Sequence, residues 1–527
     1  MPNQVNIIGI YDDCGFSAPI EYTFGLMLSI YGVTHRIVSY SQFKQDEYDR
    51  DKTLVVSYGK EYLSTGARKQ IHIYASDLFG EDCLKPSSIP IPPLSRYKGL
   101  PVIYSGRSRF DDLVRKSDKL IETDIDIIAS SFFMLSRYEE VVLNTKDEHN
   151  RFPAKASQAY QEGFLDRPIV NEYIELLWSW IYSLIPELRR NPLWPENKEF
   201  AACLTHDVDS VQRYSFLPPA ISMGSAIVRQ KNPRLAFHIL RDYFASLLHL
   251  KKDPFDTFDY MLDLERRYGF LSSFYFMSGG DSKFDGSYSV TKPKVKRLIQ
   301  KIEGKGCEVG LHGSYDSCRD LKRMASEKER LDTVVNFKNY GCRQHYLRFR
   351  VPESWRIQEK AGLLYDTTLT FADHVGFRSG FCLPFRPFDI LENRVLDIWE
   401  LPLTVMEGSL QSPNYQNLSP EQGFEEIIKL IEVLKEFRGI FVVLWHNSSF
   451  DPLGEWAGWK EIYEKVMAYI SKQNAWIAPG REIVEWWQGN TAAQIPDCGR
   501  TYGRAESLLQ DEQDPNKHRE GDSKSGD

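Results

Sequence analysis

The chain has few of the devices that would fix its class at once. Its eight cysteines in 527 residues are widely scattered with no CxxC pair, which argues against both a disulfide framework and a thiolate zinc site. Cys203 lies three residues before His206, but a cysteine inside an apolar strand packs more often than it attacks. No stretch approaches the roughly 18 uninterrupted apolar residues of a membrane span. The opening Met1-Pro-Asn-Gln-Val-Asn-Ile-Ile has no basic segment leading into an apolar core, so a cytoplasmic protein is expected. A long basic block is also missing, and the net charge is −8, which excludes the electrostatic footprint of a nucleic-acid binder. No repeat of fixed period is visible, so solenoids and propellers drop out.

The chain does have aromatic side chains, 13% of the total, beside a hydrophobic share of 42%. That is enough for a folded core with rings left over for a cleft. Pro186, Pro192 and Pro195 interrupt a polar run that can hold neither helix nor strand. The reading is a smaller α/β domain over 1–195, a second domain over 196–490 and a disordered tail over 491–527, whose composition cannot offset the entropy of ordering. In the first domain, Val5–Ile10, Thr53–Tyr58 and Pro101–Tyr104 read as strands, and Asp126–Glu140 and Ile169–Ile185 as helices. In the second, Phe200–Leu204, Ser273–Met277, Cys307–Leu311, His345–Phe349, Val395–Leu401, Gly439–Trp445 and Trp476–Ala478 alternate with helical segments. Such alternation, with no glycine-rich dinucleotide fingerprint, predicts a distorted (β/α) barrel of about seven parallel strands with its chemistry at their carboxyl ends.

Three strands end on titratable groups. Thr205-His206-Asp207-Val208-Asp209 follows Phe200–Leu204, and in an extended chain Asp207 and Asp209 project to one side. Two close carboxylates repel, so a cation between them is a natural neutraliser, although Asp-x-Asp after a strand is as often a cap. Leu311-His312-Gly313-Ser314-Tyr315-Asp316 puts His312 and Asp316 at i, i+4, where both reach one divalent ion, zinc or a similar metal; a capping or core histidine is the competing reading. Leu444-Trp445-His446 brings His446 to the end of a buried strand as a candidate acid, against a satisfied structural histidine. In Tyr346-Leu347-Arg348-Phe349-Arg350 the arginines alternate, so at most one faces the barrel mouth; Asp397 is placed to orient an arginine or a histidine, or to be an exposed strand acid.

Taken in order along residues 200–485, these motifs resemble the polysaccharide deacetylase family, also called the NodB-homology domain or carbohydrate esterase family 4. The resemblance implies that Asp207 is the catalytic base and Asp209 a metal ligand, matching the family's Thr-Phe-Asp-Asp signature with one residue inserted. In His-Ser/Thr-x-x-His, His312 matches the first histidine, while Asp316 occupies the position of the second. An Asp-His-Asp ligand set adds negative charge, raises the pKa of bound water and favours a different metal. Phe349-Arg350-Val351-Pro352 matches the arginine motif, with Arg348 an equal candidate. Leu396-Asp397-Ile398-Trp399-Glu400-Leu401-Pro402 resembles the fourth motif, lining the pocket. Leu444-Trp445-His446 matches the fifth, which implies that His446 is the catalytic acid.

Ser130–Glu140 looks like part of a domain of unknown function often found ahead of such deacetylase domains, and that domain's arginines Arg107, Arg109 and Arg137 read as ion-pair partners more readily than as an anion site. The expected activity is hydrolytic removal of an N-acetyl or O-acetyl group from a carbohydrate or glycan precursor. The expected cofactor is a divalent metal, zinc first, with cobalt or nickel as alternatives. Tyr315 and Trp445, with Trp456 and Trp459, are candidates to stack on sugar rings. Two other readings stay open: a C–N hydrolase acting on a small amide, and an inactive glycan-binding protein.

Overall fold

The computed structural model describes residues 6–491, apart from 108, 287, 453 and most of 214–251. The tail expected to be disordered lies outside the described residues, beyond Thr491.

A six-stranded sheet comes first: β1 (Asn6–Tyr11), β2 (His35–Ser39), β3 (Thr53–Gly59), β4 (Lys69–Tyr74), β5 (Val114–Lys116) and β6 (Leu120–Thr123). Its order is β2-β1-β3-β4-β6-β5, parallel except for the β5/β6 pair. β3 is buried along its whole length: Leu54 and Val56 pack in a core with the helices Ser17–Ser29 and Ile169–Leu184, and Val55 packs with Ile8, Ile10, Phe43 and Leu63 on the other face. The single helix expected over Asp126–Glu140 is instead two, Ile127–Leu135 and Tyr138–Leu143, separated by Arg137 at φ 52°. Pro101–Tyr104 forms only part of a short hairpin, Ser95–Tyr97 with Leu100–Val102.

The second sheet has nine strands, all parallel: β7 (Phe200–Val208), β8 (Ser272–Met277), β9 (Glu308–Gly313), β10 (Gly341–Gln344), β11 (Tyr365–Asp366), β12 (Trp399–Glu400), β13 (Val405–Met406), β14 (Ile440–Leu444) and β15 (Ala475–Ile477). The order is β12-β11-β10-β9-β8-β7-β14-β13, with β15 against the start of β7. The two edges belong to one run of chain. Leu401 N–H donates to the Asp366 carbonyl at 2.9 Å, and Thr404 N–H donates to that of Val442 at 3.0 Å. The segment that begins against one edge therefore ends against the other, and Pro402, which has no N–H, sits at the changeover. This is the curled parallel (β/α) barrel expected.

The barrel strands are buried because helices cover the outside and side chains fill the inside. Pro420–Glu436 shows how the sequence builds that cover. Ser419 and Gln422 form a capping box, Pro420 occupies the first turn, and Ile427, Leu430, Ile431 and Leu434 make the buried stripe. Each such side chain contributes roughly 1.5–3 kcal/mol on burial. Inside the barrel, Tyr365 Oη donates to Glu308 at 2.9 Å, and Arg343 Nη2 donates to Thr205 Oγ1 at 3.0 Å. β10 begins with Gly341, where an added Cβ would lie 2.1 Å from the Tyr365 ring, so only glycine fits. His345–Phe349, expected as a strand, follows β10 as a short 3-10 turn and loop, with Tyr346 and Leu347 at positive φ.

One hydrophobic core runs through both sheets. Buried ion pairs also join them: Arg137 Nε donates to Glu140 at 2.8 Å, and Arg378 Nε donates to the same carboxylate at 2.8 Å. Arg137 is therefore committed to carboxylates, and Arg109 donates to the Lys60 carbonyl. Among the described residues, no helix is long and apolar enough to cross a membrane.

Candidate metal centre

β7, β9, β10 and β14 deliver their polar ends to one place. The two-residue period holds on β7: Asp207 and Asp209 both flank His312, at 3.8 Å from Nδ1 and 3.1 Å from Nε2 respectively. His206, between them, points outward. Its Nδ1 bonds the Trp445 carbonyl and its Nε2 bonds Glu265, both at 2.8 Å, which makes it a satisfied structural histidine.

Three imidazoles point their Nε2 atoms at Asp209, and two of them, His312 and His446, are anchored by a hydrogen bond at Nδ1. His312 Nδ1 donates to the Arg343 carbonyl at 2.9 Å, which fixes the tautomer that turns the Nε2 lone pair toward the cluster. His345 Nδ1 lies 3.5 Å from buried Asp285, leaving Nε2 at 3.6 Å from Asp209. His446 Nδ1 bonds buried Glu407 at 2.8 Å, with Nε2 at 3.8 Å from the other Asp209 oxygen. The carboxylates are themselves held: Asp285 accepts from the Tyr315 backbone N–H, and Glu407 accepts from Ser449 and from the His446 backbone N–H.

The ligand atoms of Asp209, His312 and His345 lie within 4.8 Å of one another. One carboxylate and two imidazoles, one of them anchored through Nδ1, are a donor set suited to zinc or a similar divalent ion, so the residues present fit a metal. Electrostatics agree. Desolvation opposes ionisation of Asp209, yet His345, His312 and His446 hold its pKa far below the carboxylate range. Burial disfavours imidazolium at His446, but Glu407 outweighs it and, with Asp209 and Asp207, pushes its pKa up to about 10. Burial likewise opposes charge on His312, and Asp207 and Asp209 overcome it. The site is built to attract positive charge.

Asp207 is almost fully buried, and its Oδ1 has no hydrogen-bond partner; Arg343 Nη1 stands 3.6 Å away. Above these groups opens a cavity of about 590 Å³, walled by Phe255, Phe284, Tyr346, Tyr415 and Trp456.

The other expected residues fall elsewhere, and the ligand set is corrected accordingly. Asp316 is half-exposed and accepts from Arg348 Nη1 at 2.9 Å, because the chain after β9 turns into a 3-10 segment and not a helix that would aim it back; His345 stands in the cluster instead. Arg348 is spent on Asp316 and the His149 carbonyl, and Arg350 is exposed beside Glu353. The arginine next to Asp207 is Arg343. Asp397 is 81% exposed and pairs with Arg386. Trp445 is buried against Trp459 and Tyr463, and Tyr315 packs on Phe284 with its hydroxyl against His149, so neither side chain lines the cavity. Sequence reasoning missed His345 and Arg343 because β10 was placed too late. Had Gly341–Gln344 been recognised as the strand, His345 would have stood at its carboxyl end.

Residues 10–186 match the model of a family of unknown function, DUF7033. No curated protein matches the chain. Among solved structures it is similar to a Mycobacterium smegmatis protein assigned as a polysaccharide deacetylase, at 18% identity over 59% of this chain and 96% of that one, with TM-score 0.39. It is also similar to BA3943, a CE4 family pseudoenzyme from Bacillus anthracis, at 12% identity over 56% and 66%, TM-score 0.29. A third is the peptidoglycan deacetylase PdaC from Bacillus subtilis, at 11% identity over 56% and 95%, TM-score 0.26. Likenesses this distant leave the chemistry to be read from this chain's own side chains.

Proposed function

We propose that this chain is a metal-dependent hydrolase that removes an acetyl group, N-linked first and O-linked second, from a carbohydrate or glycan precursor. The observation that carries the reading is the convergence of three imidazoles on Asp209, two of them held by a hydrogen bond at Nδ1, with the unpartnered oxygen of Asp207 alongside. Asp209, His312 and His345 hold the metal, zinc first. When bound, it supplies a Lewis acid for the acyl oxygen and a water of lowered pKa.

The protein's own groups do the rest. Asp207, oriented by Arg343, takes a proton from the water whose oxygen bonds to the acyl carbon. His446 is kept protonated by Glu407 and delivers its proton to the sugar nitrogen as the C–N bond breaks. Phe255, Tyr346 and Trp456 offer ring faces to the sugar and exclude water around the reacting atoms. The test is acetate release from N- and O-acetylated sugars beside a panel of cyclic amides. Release from the sugars supports the reading. Turnover of the cyclic amides alone would replace it with the small-amide hydrolase.

A further inference from the structure

Of the three imidazoles at the centre, His345 is the one whose ring is not fixed by a hydrogen bond at Nδ1. That nitrogen is buried without a partner, with Asp285 3.5 Å away. His312 and His446 are each placed by a bond of their own ring, whereas His345 depends on its backbone. The backbone there carries strain. Directly after His345, Tyr346 and Leu347 both lie in the left-handed region, at φ 61° and 50°. Two residues with side chains in succession keep that conformation only where their surroundings hold them.

The hold comes from a turn before the barrel, residues 147–151. Asp147 N–H donates to the Arg151 carbonyl at 2.8 Å, and Asp147 Oδ1 accepts from the backbone N–H groups of His149 and Arg151 at 2.9 and 2.8 Å, so the turn braces itself. Arg151 is 5% exposed. Its Nε donates to Asp147 at 2.7 Å, Nη2 to the Tyr415 hydroxyl at 3.0 Å and Nη1 to the Tyr346 carbonyl at 2.8 Å. A second tie runs the other way: Arg348 Nε donates to the His149 carbonyl at 2.9 Å, and the His149 and Tyr346 rings pack with centroids 4.9 Å apart. The chain on both sides of Leu347 is thus fastened to one turn. With Nε and both Nη atoms engaged, Arg151 is a positioning residue and not an anion site.

We infer that the turn 147–151, within the stretch matched by the family of unknown function, sets the place of the metal ligand His345, and that Arg151 is the residue through which it does so. The first region then takes part in the metal centre without supplying a ligand to it. The inference rests on the reading of Asp209, His312 and His345 as a metal centre.

The test is zinc titration of the metal-stripped full chain in competition with a chromophoric chelator. Outer partners of metal ligands govern about 10–100-fold in affinity, and Arg151→Met should raise the zinc Kd by about that much. Asp147→Asn keeps the Oδ1 acceptor and loses the charge behind Nε. It should weaken zinc in the same direction by less, and it carries the test if Arg151→Met does not fold. Tyr22→Phe removes a bond of the same kind between the same two regions, from Tyr22 Oη to the Arg386 carbonyl at 2.9 Å, but not one made to the loop after β10. It should leave the zinc Kd unchanged. Arg151→Met added to His345→Ala should cost no further affinity, because Arg151 acts through that ring. Unchanged affinity in Arg151→Met or, should that variant not fold, in Asp147→Asn overturns the inference alone, as does an equal loss in Tyr22→Phe. Failure of the unaltered chain to bind zinc overturns the metal centre and this inference together.

Discussion

Both parallel sheets carry carboxylates just past their strand ends. In the first sheet, Asp13 accepts from the backbone N–H and hydroxyl of Ser41, and Asp126 accepts from Tyr58 Oη, Ser76 N and Ala129 N. These acids are used up in capping turns and helix starts. At the barrel mouth Asp209 receives imidazole nitrogens from three strands, and Asp207 keeps an oxygen with no partner in the interior. The same residue type at the same topological position is structural where backbone donors surround it. On the proposed reading it is chemical where only side chains from other strands do.

The strongest way to break this contrast is His312→Ala. Elemental analysis should show metal lost, and acetate release should vanish with it. Asp207→Asn should keep the metal while turnover falls about 10²–10⁴-fold, the usual share of a general base. Retention of full activity would make Asp207 as structural as Asp126. Glu140→Ala tests the join between the two regions. It takes the carboxylate from buried Arg378, leaves Arg137 with Glu139 alone, and should cost about 3–5 kcal/mol in denaturant unfolding.

A smaller effect is expected at Glu400 and Asp366, which face each other across β11 and β12. Burial raises both carboxyls above their ordinary range, and the Asp366 charge beside it raises Glu400 further. The native state thus binds a proton more tightly than the unfolded chain does. Stability is full below the ordinary carboxylate value and is lost as pH rises through the raised one. Glu400→Gln keeps an acceptor for Trp355 Nε1 and should flatten that loss in thermal unfolding across mildly acidic to alkaline buffers. Asp13→Ala, on the exposed rim of the first sheet, should change stability by no more than about 0.5 kcal/mol and leave acetate release untouched.

Much of the barrel was legible because its strands announce themselves. Phe200–Leu204 and Gly439–Trp445 are apolar runs ending on His or Asp, and they lie in β7 and β14 almost where expected. β10 was not legible in that way, because Gly341 is required by the Tyr365 ring and Arg343 fills the polar barrel interior, so hydrophobicity fails as the signal. That failure moved the strand four residues and hid His345. Asp316 was misplaced for a related reason: i, i+4 spacing implies a shared face only on a helix, and the chain there is a 3-10 segment. Arg151 left no sequence signal, since its partners Tyr346 and Tyr415 lie far along the chain.

The central claim is that His345, not Asp316, completes the metal centre. It is tested most directly by the metal content of the purified protein, His345→Ala and Asp316→Ala after equilibration with zinc. Stoichiometric metal in the first and third, with loss in the second, is the predicted result. Metal retained by His345→Ala and lost by Asp316→Ala would contradict the ligand set and the mechanism built on it.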